Sequence, residues 1–320
     1  MLQNRPNLRG ALLSLLAFGI FATHDVIIKY LGATYSVFQI VFFSVLLSFP
    51  LVMLMLMRDT TRATLIPVHP WWTAARTLAA IITGSTAFYA FSVLPLTQTY
   101  AILFATPLII TVLSIPLLGE RVRWHRWAAV IIGLMGVMIV LRPGGEELNL
   151  GHLAALTAAI SGALASVIVR KIGRDERSAV LLLYPMMANF VIMGAILPFI
   201  YKPLPIEHFG LLGVIAIFAF AGGLLVIAAY KAGDAAVVAP MQYSQIVWAA
   251  FYGMVFFGEY PDLPTIVGAG IVIVSGLYIV WRESTAGVSI TRPTTSSRAR
   301  PETGTSPRAT LEKGLPAPGE

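Results

Sequence analysis

Two short stretches, "GERVRWHR" at residues 119–126 and "GEYPDLP" at residues 258–264, each end one long apolar run and precede another. They begin with the same Gly-Glu pair, yet the first goes on to Arg121, Arg123 and Arg126 and the second has neither Lys nor Arg. One motif occurring twice with opposite charge character is what a duplicated chain shows when its halves cross a bilayer in opposite senses, because basic loops stay on the cytoplasmic side.

The flanking sequence extends the duplication. At an offset of 141, Gly10 aligns with Gly151, Leu15 with Leu156, Ala22 with Ala163 and Lys29 with Arg170. At 139, Gly84 aligns with Gly223 and Gly119-Glu120 with Gly258-Glu259; at 140, Gly136 aligns with Gly276 and Arg142 with Arg282. Nearly equal offsets in one order describe a repeat with small loop insertions.

Composition fixes the medium. The 320 residues are 57% hydrophobic and 12% charged, with a mean hydropathy of +0.80, and that charged share is roughly half of what soluble domains carry. The chain reads as an all-α integral membrane protein. Segments of about 20 apolar residues, the length that spans a bilayer core, fall at 11–31, 35–57, 71–93, 95–118, 127–141, 152–171, 178–201, 209–230, 236–257 and 263–281. Ten spans divide into two inverted five-helix repeats, over residues 8–142 and 150–282. The first run is too long for a signal peptide and carries His24, Asp25 and Lys29 where a small-residue cleavage site would stand. Residues 284–320, rich in Thr, Ser, Pro, Gly and Arg, read as a disordered cytoplasmic tail.

Counting Lys and Arg by loop gives the orientation. With a cytoplasmic N-terminus, 18 of the 22 lie inside, Lys29, Arg142 and Lys202 lie outside, and Arg76 lies within a span. Both termini are therefore expected in the cytoplasm. The basic residues form no stripe with interleaved aromatics, so a nucleic-acid partner is not expected. There is no cysteine and there are five scattered histidines, so no metal or cofactor is expected. The sequence lacks HExxH, GxSxG, paired intramembrane carboxylates and GxxxxGK[ST], which argues against an enzyme or an ATP-driven pump.

An inverted repeat with sparse intramembrane polarity is the pattern of secondary transporters, whose substrate sits near mid-membrane between the halves. Asp25 and His24 are candidates to line that path. Lys29, at i+4 from Asp25, offers the alternative of an ion pair along one helix face. Arg76 either holds a substrate oxygen or an inner gate, or snorkels to lipid phosphate. Polar and aromatic groups complete the candidate substrate-binding set: Gln39, Tyr89, Gln98, Tyr100, Tyr184, Asn189, Gln242, Tyr243 and Trp248. Pro107 and Pro240 remove backbone donors, which loosens a helix where it lines a cavity. Glu120 and Glu259 are expected to bond loop backbone or a neighbouring arginine. Small residues in "GLMG", 133–136, and "GAGIVIVSG", 268–276, allow close helix contact and suggest a homodimer through the fifth and tenth spans.

The stretch "LPLTQTYAILFATPLIITVLSIPLLGERVRWHRWAAVIIGLMGVMIVLRPG", residues 94–144, resembles the closing half of an EamA-type module of the drug/metabolite transporter superfamily, and residues 235–282 resemble its second copy. The resemblance covers residues 8 to 282 and implies a ten-helix metabolite carrier in a bacterial inner membrane. Within it, "THDVIIKYLGATYSVFQIVFFSVLLSFPLVMLMLMRD" with "HPWWTAARTLAA" is similar to the bacterial riboflavin importers. That branch implies riboflavin uptake, with import or export of an amino acid, a nucleoside or an S-adenosylmethionine-like metabolite as the alternative.

Overall fold

The computed structural model describes residues 6–57, 64–119, 124–142, 149–173, 175–232 and 235–285. Among them there is helix and no strand: α1 (Pro6–Gly32), α2 (Val37–Met57), α3 (Pro70–Val93), α4 (Leu96–Leu103), α5 (Thr106–Leu118), α6 (Trp124–Leu141), α7 (Leu150–Ile172), α8 (Ser178–Ile200), α9 (Ile206–Ala232), α10 (Ala235–Val238), α11 (Ser244–Tyr252) and α12 (Leu263–Thr285). Each of the ten expected apolar segments is helical. By length and composition six can cross a membrane: Leu8–Gly32, Val37–Met55, Leu96–Leu118, Leu150–Ile172, Ala179–Ile200 and Ile206–Tyr230. Trp127–Leu141 and Leu263–Ile279 are shorter apolar helices. Of the tail expected over 284–320, residues 284 and 285 are the helical end of α12; the rest of it and the reading of Glu120 lie outside the described residues.

Two of the expected spans are broken, each near a proline. Pro107 has no N–H to give Leu103, so α4 stops there and α5 restarts; the Thr106 hydroxyl donates to the Leu103 carbonyl instead, at 2.6 Å. In the second half a 3-10 turn over Ala239–Tyr243, with Pro240 in its first turn, separates α10 from α11, and a π-helical turn over Gly253–Phe257 follows. Both broken segments end in a left-handed glycine, Gly119 with φ 70° and Gly258 with φ 65°. Such a helix C-cap suits glycine alone, which explains why the Gly-Glu motif occurs twice.

The most extensive packing joins α3 to α7, α1 to α9 and α6 to α12. Under the sequence repeat α1 corresponds to α7 and α3 to α9, so the first two are one contact made twice. The α6–α12 contact uses the small residues. A Cβ on Gly136 would stand 2.8 Å from the Gly268 carbonyl oxygen, and one on Gly268 2.5 Å from that of Gly136. These glycines bring two helices of one chain together, so they do not by themselves call for a second copy. The opposite faces of the same helices expose Ile131, Ile132, Met135, Met138, Ile266, Val267 and Val274, an apolar surface suited to lipid.

Candidate functional site

Asp25 and His24 lie in the last third of α1, where the chain is otherwise apolar, and both are 1% exposed. Burying a carboxylate is costly unless donors surround it. The Asp25 Oδ1 shares a 2.7 Å hydrogen bond with the His24 Nδ1, and its Oδ2 accepts a bond from the Tyr100 hydroxyl. The Gln245 Nε2 donates to the same hydroxyl oxygen at 3.2 Å. Tyr100 sits on α4 and Gln245 on α11, the pieces of the two broken segments, which pack against each other. The broken segments thus serve to hold the carboxylate.

His24 faces the other way. Consecutive helical residues are about 100° apart, and while Asp25 turns to α4 and α11, His24 lines a cavity on the other side of α1. Its walls come from α1, α2, α3, α8 and α9, with Ser44, Ser48, Phe88 and Asn189 as the other polar or aromatic lining groups. The Phe88 ring meets the imidazole edge-on, with centroids 6.0 Å apart. Among the described residues the Oγ of Ser44, 7% exposed, has no hydrogen-bond partner and the Asn189 Oδ1 has none either, while the Asn189 Nδ2 donates to the Pro185 carbonyl at 3.0 Å. Open hydrogen-bonding capacity on an apolar wall is what a small polar ligand satisfies.

Lys29, the alternative partner for Asp25, makes a tie across the halves. Lys29 pairs with Glu259 at 2.6 Å, donates to the Leu94 carbonyl at 2.5 Å and stands 5.2 Å from the centre of the Phe257 ring. The other carboxylate oxygen of Glu259 accepts from the Leu96 backbone N–H at 3.2 Å, so Glu259 bonds the first residue of α4 where loop backbone was expected, and a lysine where an arginine was. Nearby, Gln39 is fully buried and exchanges two bonds with the Lys202 backbone, at 2.7 and 3.0 Å. Gln39 therefore clasps α2 to the segment between α8 and α9, outside the wall of this cavity.

Arg76 lies at the other end. It precedes Leu94 by 18 residues, roughly 27 Å along a helix. It is 5% exposed and donates to the Leu181 carbonyl of α8, so it is held inside the protein and does not snorkel outward. Near it the Glu176 carboxylate accepts from the His69 backbone N–H at 2.5 Å, and His69 pairs with Asp175 at 3.2 Å.

The remaining candidates disperse. Gln98 bonds His152 at the start of α7, at 3.0 Å. Tyr89 packs against the core, and Tyr243 meets Phe104 edge-on in the same core. Tyr184 is 39% exposed and reaches the Leu65 carbonyl, whereas Trp248, 37% exposed, stacks near Tyr252. Gln242 is half-buried and lines no part of the cavity. No residue of the proline-broken segments α4, α5, α10 or α11 lines this cavity. Sequence reading left Ser44, Ser48 and Phe88 outside the set. The two serines stand at i and i+4 on α2, which apart from Gln39 is otherwise apolar, a spacing that marks one face. Among the described residues no group of His, Asp and Glu could hold a metal ion.

Comparison with known proteins gives this geometry its context. The model of the EamA-like transporter family matches residues 8–142 and again 149–281. An S-adenosylmethionine uptake transporter of Rickettsia bellii is 30% identical over 83% of this chain and 91% of its own. A pseudopaline exporter of Pseudomonas aeruginosa is 26% identical over 83% of this chain and 94% of its own. A riboflavin transporter of Vibrio cholerae is 28% identical over 67% of this chain and 72% of its own. One crystal structure shares the fold with a TM-score of 0.54 at 17% identity, over 89% of this chain and all of that one. Two matched copies of one module around a cavity lined from both, in a chain that packs as helices throughout its described length, lead to one assignment: this multi-pass membrane protein belongs to the EamA-like transporter family.

Proposed function

We propose that the chain is a secondary transporter of ten spans in two inverted five-helix halves, residues 8–142 and 150–282, which moves a small metabolite across a bacterial inner membrane by alternating access. Both termini are placed in the cytoplasm by the distribution of Lys and Arg. The observation that carries the reading is the cavity between the halves, walled by α1, α2 and α3 from the first and α8 and α9 from the second. Toward one end Lys29–Glu259 and Gln39–Lys202 join the halves; toward the other His69–Asp175 and Arg76 with the Leu181 carbonyl do so. Ties at both ends of a central cavity suit two gates that open in turn.

The substrate class follows from the wall. Hydroxyls, an amide, an imidazole and a phenyl ring suit a flat heteroaromatic ring with a hydrogen-bonding chain. S-adenosylmethionine is the first reading, because the relative of that name matches over nine-tenths of its own length. Riboflavin is the second, supported by the likeness of the Vibrio cholerae transporter. The test is uptake of each labelled compound by bacteria that express the chain, against an empty vector and with excess unlabelled flavins, nucleosides and amino acids. Saturable uptake competed only by one class identifies the substrate. Membrane-located protein with no uptake of either compound overturns the substrate reading and directs the assay to export.

A further inference from the structure

His24 and Asp25 join two surroundings that transport by itself does not require to be joined. The imidazole is part of the cavity wall. The carboxylate behind it is locked to Tyr100, and through that hydroxyl to Gln245, on helices that do not touch the cavity. A substrate contact alone would not need a buried acid one residue away, bonded to the contacting ring at 2.7 Å.

The arrangement is suited to one proton. With a neutral imidazole and a carboxylate the pair carries a net charge of −1, and with one more proton it carries none, whichever of the two groups holds it. In a site 1% exposed the charged form is the costly one. Lys29, one turn further along α1, is engaged by Glu259 and the Leu94 carbonyl. From α3 comes Phe88, from α4 Tyr100, from α11 Gln245, from α2 Ser44 and from α8 Asn189, while α9 lines the cavity with Ile215, Ala216 and Ala219.

We propose that the His24–Asp25 pair is a proton-binding site whose load changes with the state of the cavity, so that substrate movement is coupled to the proton gradient. A proton enters through the cavity when it opens to one side, settles on the pair through the cavity-facing imidazole, and leaves by the same ring when the cavity opens to the other side. The pair ends each cycle as it began, having moved one proton and broken no other bond. Tyr100 and Gln245 are positioning residues that fix the carboxylate toward the ring.

This inference deepens the transport reading and rests on it, so the test must separate the two. Full-length protein is placed in liposomes containing a pH-reporting dye, and net uptake of S-adenosylmethionine or riboflavin down its gradient is measured beside the internal pH, with labelled-for-unlabelled exchange at equal concentrations as the measure of transport alone. In the natural chain, exchange is expected together with a pH change when substrate moves down its gradient. Asp25→Asn is expected to abolish the proton movement per substrate carried. His24→Gln, whose amide keeps a hydrogen bond to Asp25, is expected to flatten the pH profile of transport across about pH 5 to 8, where histidine titrates. Substrate flux with no pH change in the natural chain overturns the inference, as does a proton-to-substrate ratio unchanged in Asp25→Asn or a pH profile unchanged in His24→Gln. Absence of exchange of both compounds in the natural chain overturns the substrate reading beneath it.

Discussion

Helices α1 and α7 occupy corresponding places in the repeat, yet only one of them carries the acid. At the offset of 141 Gly10 and Gly151, the buried Ala22 and Ala163 and the basic Lys29 and Arg170 coincide. Each packs along the third helix of the other half, α1 on α9 and α7 on α3. Where α1 has His24 and Asp25, however, α7 has Ala165 and Ser166. Ser166, 2% exposed, returns its hydroxyl to the Gly162 carbonyl of its own helix at 2.8 Å. The donor differs as well, since Tyr100 has Ala239 as its counterpart at an offset of 139. Helix packing asks only for matching small volumes, which duplication preserves. A buried carboxylate asks for specific donors, and those stand in one copy alone.

The largest effect is expected from forcing the second copy to resemble the first. Ser166→Asp places a carboxylate where the hydroxyl now meets only a carbonyl, at an expected cost of about 3 to 5 kcal/mol. Loss of folded protein in detergent, read by size exclusion and thermal unfolding, checks it; a chain that folds with unchanged stability would mean that the two sites are interchangeable.

The reverse exchange, His24→Ala with Asp25→Ser, makes α1 resemble α7 and removes the dyad. Transport should fall by roughly 30-fold, the equivalent of about 2 kcal/mol for a lost charged hydrogen bond, with the protein still present in the membrane. Uptake equal to that of the natural chain would show that the asymmetry is incidental.

Smaller effects fall on the contacts that surround the comparison. Lys29→Gln leaves Glu259 partly buried without its cation and should lower stability by about 1 to 2 kcal/mol. Exchanging the partners, Lys29→Glu with Glu259→Lys, should recover part of that loss in thermal unfolding; no recovery would show that the pair is not coupled. Asp262→Asn tests the more exposed pair with Arg142, whose side chains are 23% and 46% exposed for Arg142 and Asp262. That change should stay within about 0.5 kcal/mol, and a larger drop would mark the pair as a gate element.

How much could be read in advance varies from residue to residue. Ten apolar runs, their breaks and the Gly-Glu repeats were legible because hydropathy and left-handed caps are local properties. Asp25 stood out because a carboxylate in such a run needs a reason. Its partner did not: Lys29 at i+4 was the sequence-near choice, but α4 brings Tyr100 from 75 residues away. Ser44 and Ser48 were passed over because hydroxyls can bond back within their own helix. Ser48 does so, to the Ser44 carbonyl at 2.7 Å, whereas the Ser44 Oγ has no bond and faces the cavity.

The sequence by itself determined that this chain is helical and built for a bilayer, where it breaks, and that a module is written in it twice, because these follow from composition, spacing and the conformational needs of glycine and proline. Only the tertiary structure decided which polar residues meet. The proline-broken segments turned out to hold the acid through Tyr100 and Gln245, and Arg76, Gln39 and Gln98 turned out to tie distant segments of the chain together. The physical reason is that a buried polar side chain is satisfied by whatever donor or acceptor the packing delivers, and packing depends on which helices lie side by side, not on their distance along the chain.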